Sequence, residues 1–189
     1  MKVIVVEHNW EEPADDTIKA HLMADSAIMT SDKPFFLPDV LPQLDARLTM
    51  AVRVGRLGKY VASRFAHRYC QDFTAAIVAV PRQGMEQQPM AAALDGALML
   101  GNWIASEQAQ QNPNACLQML RNGQVACSGC IATLNHPIDE VIEHVSKFCT
   151  LKTGDIVLTG LHPLAVPLAI GDKLHATFDG IQVLDIRVK

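Results

Sequence analysis

Two corners near the C-terminal end of the chain constrain its fold more than any other feature. Thr150-Leu151-Lys152-Thr153-Gly154-Asp155 runs straight into Ile156-Val157-Leu158-Thr159-Gly160, and Ile170-Gly171-Asp172 runs into Lys173-Leu174. A Gly-Asp turn feeding an apolar, β-branched run marks the start of a buried strand. Asn122-Gly123 between two further short runs is a strong hairpin signal. Strands are therefore expected over residues 3–6, 48–54, 72–80, 97–104, 116–120, 124–127, 155–158, 173–178 and 182–188. The 48–54 run alternates, with Leu48, Met50, Val52 and Val54 on one side, and reads as a strand with one buried face.

Helices are expected to be few. One would open at Pro13 and continue through Ile18, Leu22 and Met23. A second would span 61–69, with Val61, Phe65 and Tyr69 at four-residue steps. A third would span 137–148, burying Ile138, Val141, Ile142, Val145 and Phe148. Pro34, Pro38 and Pro42 make residues 31–43 an extended connector, and residues 107–114 read as a polar loop. The expected class is α+β and mainly β. At 189 residues the chain suits one domain that can bury roughly 70% of its unfolded surface.

A net charge of −4 argues against a nucleic-acid partner, which needs a basic face. No apolar run approaches a membrane span. The short N-terminal apolar run does not read as a signal peptide. Five cysteines in no regular framework suggest a reducing, cytoplasmic setting.

Several segments in order resemble the fumarylacetoacetate hydrolase family. They are Asn9-Trp10, Lys33-Pro34-Phe35-Phe36 with Pro38, and the stretch from Gly55-Arg56-Leu57-Gly58-Lys59 through Arg64-Phe65-Ala66-His67-Arg68-Tyr69. After these come Leu94-Asp95-Gly96, Leu100-Gly101-Asn102-Trp103-Ile104, Asn122-Gly123-Gln124, Pro137-Ile138-Asp139 and the 151–160 run. The resemblance implies a mixed β-sandwich roll with a few peripheral helices over residues 1–189, residues 1–45 forming a cap or lid segment and connector. It also implies a homodimer, and Mg²⁺- or Mn²⁺-dependent chemistry on carbon–carbon bonds of small 2-oxo or 1,3-diketo acids. Such a site needs carboxylates for a hard cation, a Lys for developing negative charge, and a His-Glu lid pair.

The positions that match this machinery carry other residues. Arg47 and Thr49 stand where the family has Glu-x-Glu, Val78 where it has Asp, and Ala92 where it has Lys. Pro13-Ala14-Asp15-Asp16 replaces the lid motif, and Cys127-Ser128 replaces a polar pair. The Thr-Gly-Thr-Pro loop becomes Thr159-Gly160-Leu161-His162. Asp45 lies near but two residues out of register, and its plain reading is a solvated carboxylate. The expectation is a member of the family without its metal, hence without a cofactor, serving as a scaffold, a regulatory partner or a small-anion binder. Arg82, Thr159, Gly160 and His162 are the candidate binding residues, and no catalytic or metal residue is assigned. The partner would be a second copy or an active paralogue.

Two other readings stand beside it. One is an active hydrolase, lyase or isomerase with a rebuilt site drawing on Asp45, His162 and Cys127. The other is a zinc site or redox pair built on Cys127-Ser128-Gly129-Cys130, with Cys116 and His136 nearby, although buried core cysteines are the plainer account. His67 and His144 read as helix-surface residues.

Overall fold

A computed structural model describes residues 1–10, 17–31, 33–109, 112 and 114–189. Its strands in chain order are β1 (Val3–Glu7), β2 (Lys19–Met23), β3 (Ile28–Thr30), β4 (Leu44–Val54), β5 (Cys70–Pro81), β6 (Leu98–Leu100) and β7 (Ile104–Ala105). They continue with β8 (Cys116–Arg121), β9 (Gln124–Cys130), β10 (Ile156–Leu158), β11 (Val166–Pro167), β12 (Lys173–Phe178) and β13 (Ile181–Arg187). The helices are α1 (Ser63–Ala66), α2 (Ser106–Ala109) and α3 (Ile138–Phe148).

Nine strands form one sheet, in the order β2-β1-β10-β4-β5-β6-β3, with β11 beside β4 and β7 beside β5. The order β13-β12-β8-β9 forms a second sheet, which packs on β4 and β5. This is the mainly-β α+β class expected.

Both Gly-Asp corners are built alike. Gly154 and Gly171 have φ of +88° and +96°, a region that favours glycine. The next residue then folds its carboxylate back onto the turn. Asp155 Oδ2 accepts from the Lys152 amide, and Asp172 Oδ2 from the Ala169 amide, each three residues earlier. Each carboxylate also meets a distant cation, Lys2 and Arg121 respectively. Burial alone would push Asp155 up. The hydrogen bonds from Lys2 and Lys152 outweigh it and hold the carboxyl below its usual range.

The central β4–β5 ladder runs antiparallel from Leu44↔Pro81 to Val54↔Cys70. Both faces of β4 are buried, so the one-sided pattern read from residues 48–54 is corrected; only Arg47 and Arg53 are partly open. A strand covered on both sides need not alternate.

Other expectations also change. Ile18, Leu22 and Met23 belong to an extended segment and edge strand β2, not to a helix. Residues 11–16, where that helix and the lid positions were expected, lie outside the described residues. The 61–69 helix shrinks to one turn, α1, and leaves Phe65 exposed between Arg64 and Arg68. Ser106–Ala109 is a short helix where a loop was expected. The third helix forms as read, with Asp139 and Glu140 in its first turn and Lys147 in its last, which suits the helix dipole. Phe148 is 77% exposed at the end of that helix, so it leaves the buried stripe.

Candidate anion site between β4, β5 and the end of β1

Arg47 projects from the middle of β4, directly opposite Val78 of β5. Two residues on, Thr49 is fully buried opposite Ala76. A guanidinium, a hydroxyl and an isopropyl group therefore occupy the three positions at which carboxylates were sought. Ala92 sits in a 3₁₀ turn (Pro89–Ala93), where its carbonyl accepts from the Ala24 amide. A divalent cation needs oxygen ligands, and a guanidinium repels it, so these residues do not fit one. Among the described residues no group of three His, Cys, Asp or Glu side chains is arranged to hold a metal.

Arg47 lacks a mate as well. Its Nε is buried without a hydrogen-bond partner, and no ion pair reaches it among the described residues. An unsatisfied charged donor of this kind is costly unless something fills the space before it. That space is a cavity of about 230 Å³. Glu7, His8, His21, Asp45 and Arg82 line it together with Arg47, Leu161 closes one side, and exposed Glu86 adds to the wall.

Arg82 is fixed by Asp45, whose Oδ1 accepts from Nε at 3.1 Å and from Nη2 at 2.9 Å. Asp45 is thus a buried, paired residue of β4 and not a solvated loop carboxylate. Its negative charge is spent on Arg82, so Arg82 arrives oriented, while Arg47 has no ion pair among the described residues.

Thr159 and Gly160 turn inward to the framework. The Thr159 amide donates to the Met50 carbonyl, and its own carbonyl accepts from Asn9 Nδ2 at 2.6 Å. Gly160 has φ of +144°, and a Cβ there would sit 2.5 Å from the Asn9 Cβ. Asn9 also bonds His136 through both its amide group and its carbonyl oxygen. These residues pin the end of β1 to β10, beside the cavity.

His162 feels the Arg47 charge but is not among the residues that line the cavity. Its Nδ1 accepts from the Leu164 amide, which leaves Nε2 to donate to the Ser128 carbonyl at 3.1 Å. The Trp10 ring meets the imidazole edge-on, at 5.4 Å. Burial pushes the His162 pKa down; the two backbone bonds oppose this, and the Arg47 charge adds to it. With both nitrogens engaged, His162 is not poised as a base.

Of the residues considered for a rebuilt acid–base set, Asp45 is bonded to Arg82, and His162 to Ser128 and Leu164. Burial pushes the Cys127 thiol up to about 11. The Cys-x-x-Cys reading is corrected too: Cys130 is disulfide-bonded to Cys116, its directly opposite residue on β8, and Cys127 is free. His136 is turned toward Glu140, and no zinc set forms with it among the described residues.

Sequence reasoning passed over Glu7, His8 and His21. His21 Nδ1 is 2.8 Å from Glu7 Oε1, and His8 Nε2 is 3.8 Å from Glu7 Oε2. The missing signal was the strand assignment. As a helix residue His21 faces nowhere in particular, but as the β2 partner of Val5 it stands beside Glu7 at the cavity.

The model of the fumarylacetoacetate (FAA) hydrolase C-terminal region matches residues 4–189. The chain belongs to the fumarylacetoacetate hydrolase family. Oxaloacetate tautomerase YcgM of Escherichia coli is 29% identical over 164 residues, covering 82% of this chain and 75% of that protein. Maleylpyruvate hydrolase of Aquipseudomonas alcaligenes is 23% identical over 146 residues, 77% of this chain and 50% of that protein. The crystal structure of 5-carboxymethyl-2-hydroxymuconate delta-isomerase from Mycobacterium smegmatis superposes with a TM-score of 0.90 at 26% identity. That superposition covers 99% of this chain and 78% of the other. Relatives of this chain thus include proteins named as isomerases and hydrolases. Among the described residues no helix is long and apolar enough to cross a membrane.

Proposed function

We propose that this member of the fumarylacetoacetate hydrolase family binds a small carboxylate without a metal and does not cleave carbon–carbon bonds. The observation that carries the reading is Arg47, a partly buried cation with an unpartnered Nε, facing Val78 where a cation-binding carboxylate would be needed. A carboxylate is the complementary ligand, since a guanidinium offers it paired donors. Arg82, oriented by Asp45, supplies a second cationic wall. The cavity volume suits an organic acid of a few carbons. The same reading gives the chain a regulatory or scaffolding role, in a homodimer or in a pair with an active relative.

Calorimetry on chelator-treated protein tests this. Pyruvate or oxalate should bind in the absence of metal, and Mg²⁺ or Mn²⁺ should bind no more tightly than to a generic acidic surface. Tight Mn²⁺ binding accompanied by turnover of an acylpyruvate would overturn the reading.

A further inference from the structure

We propose that Glu7 and His21 form a metal-free acid–base pair. It would remove and return a proton at the carbon beside the carbonyl of a carboxylate held by Arg47 and Arg82. This rests on the anion-binding reading above and adds a chemical step to it.

Three observations carry it. The pair lines the same cavity as the two arginines, so a ligand gripped by the guanidiniums lies against it. Glu7 stands between two imidazoles, one oxygen toward His21 and the other toward His8. A carboxylate behind an imidazole orients the ring and stabilises the imidazolium formed when it takes a proton. The contact is also not locked: Nδ1 lies off the hydrogen-bonding direction and has no aligned partner, although the atom is buried. Such bonds often tighten only when a ligand is in place.

The third observation is the backbone. His8 has φ of +54°, in the left-handed region that non-glycine residues seldom adopt. Strain of this kind persists where surrounding structure enforces it, and it gathers at sites of function. Asn9, locked to Thr159 and His136, supplies the enforcement.

The step balances without a co-reactant. His21 Nε2 takes a proton from the carbon next to the carbonyl. The C–H electron pair becomes the carbon–carbon π bond, and the carbonyl π pair moves onto oxygen, where a guanidinium faces the charge. Return of a proton from His21 to the same carbon regenerates the ketone, and delivery to oxygen gives the enol.

Full-length protein in D2O with EDTA and pyruvate tests the step, read by loss of the methyl proton signal in NMR. Exchange should exceed the buffer rate. It should fall about 100-fold in His21→Gln and about 10-fold in Glu7→Gln, while the pyruvate Kd stays within about 3-fold. Unchanged thermal melting of both variants, or of Glu7→Gln alone should His21→Gln fail to fold, keeps the comparison valid. Wild-type protein that binds pyruvate yet exchanges its protons no faster than buffer would overturn the acid–base pair and leave the anion site standing. Protein that binds neither pyruvate nor oxalate would overturn both.

Discussion

Arg47 and Arg53 stand six residues apart on β4 and point to the same side of the strand, yet they live in different chemical worlds. Arg53 faces Asp72 across the ladder and donates to Oδ2 from both Nε and Nη2. Its guanidinium also lies 5.0 Å from the centre of the Trp103 ring. Arg47 faces Val78, and its Nε has nothing to donate to. A partly buried cation with a carboxylate and an aromatic face is complete in the folded chain. One with a valine leaves a buried donor unsatisfied. The lesson is that residue type on a strand says little until the residue across the ladder is known.

The largest effect that could break this contrast is a restoration. Arg47→Glu with Thr49→Glu and Val78→Asp places three carboxylates in one buried spot. Without metal they repel, and the melting temperature should fall by on the order of 10 °C. Mn²⁺ should restore most of the loss by binding only the folded state. A triple variant that melts the same with and without Mn²⁺ would mean that residues 47, 49 and 78 do not together form a cation position.

Next in size, Arg47→Leu should weaken pyruvate or oxalate binding by about 50-fold, the worth of a charge-assisted hydrogen bond in a cavity. Urea stability should hold or rise slightly, because a buried unsatisfied donor has been removed. Binding that survives the change sinks the anion site.

Asp72→Ala is the converse experiment. It strands Arg53 and should cost about 2 kcal/mol in urea denaturation, less than a fully buried pair because Arg53 is still partly solvated. Carboxylate affinity should not move. If it does, the two arginines are coupled and the contrast is weaker than the geometry suggests.

Acid should weaken the framework through its two Gly-Asp corners. The Asp155 and Asp172 carboxyls are held below their usual range in the fold, so the unfolded chain binds protons more readily. Their stabilisation is in full force above the ordinary carboxylate value of 3.8 and is lost as pH falls through the lower folded values. Asp155→Asn should flatten that part of the stability curve, as followed by urea midpoints against pH.

The smallest effect sharpens the comparison most directly. The Arg47 charge helps to depress the His162 pKa, so Arg47→Leu should let that histidine titrate closer to its ordinary 6.5, seen in its ring proton shifts. Arg53→Leu should leave it alone. A His162 titration unchanged by Arg47→Leu would show that the charge is already neutralised by a group that binds it in solution.

Much of the scaffold was legible in the sequence because its signals are local. The hairpin at Asn122-Gly123, strand β12 and helix α3 depend on turn residues and short-range periodicity, and they form where they were read. Strand β2 was misread because Ile18, Leu22 and Met23 match helical spacing by chance, while the pairing of Val3 with Met23 decides the matter. Half of the site went with it: once His21 is given to a helix, nothing joins it to Glu7. Arg82 was legible from the family resemblance, but its fixed orientation was not. That requires Asp45, 37 residues earlier, to be buried and not solvated. The cysteines failed for the same reason, since Cys130 finds its partner across a hairpin and not along the chain.

The sequence by itself determined the two Gly-Asp corners. A glycine free to adopt positive φ and an aspartate able to reach back three residues build the turn from adjacent atoms. It also determined which side chains stand at the positions where the family resemblance led to an expectation of carboxylates. Only the tertiary structure decided what those side chains do. Hydrogen bonding of a cation depends on atoms brought within about 3 Å by strand register, and register joins residues far apart in the chain. That is why one arginine of β4 is a structural tie and the other holds a buried Nε without a hydrogen-bond partner, the feature on which the proposed carboxylate site rests.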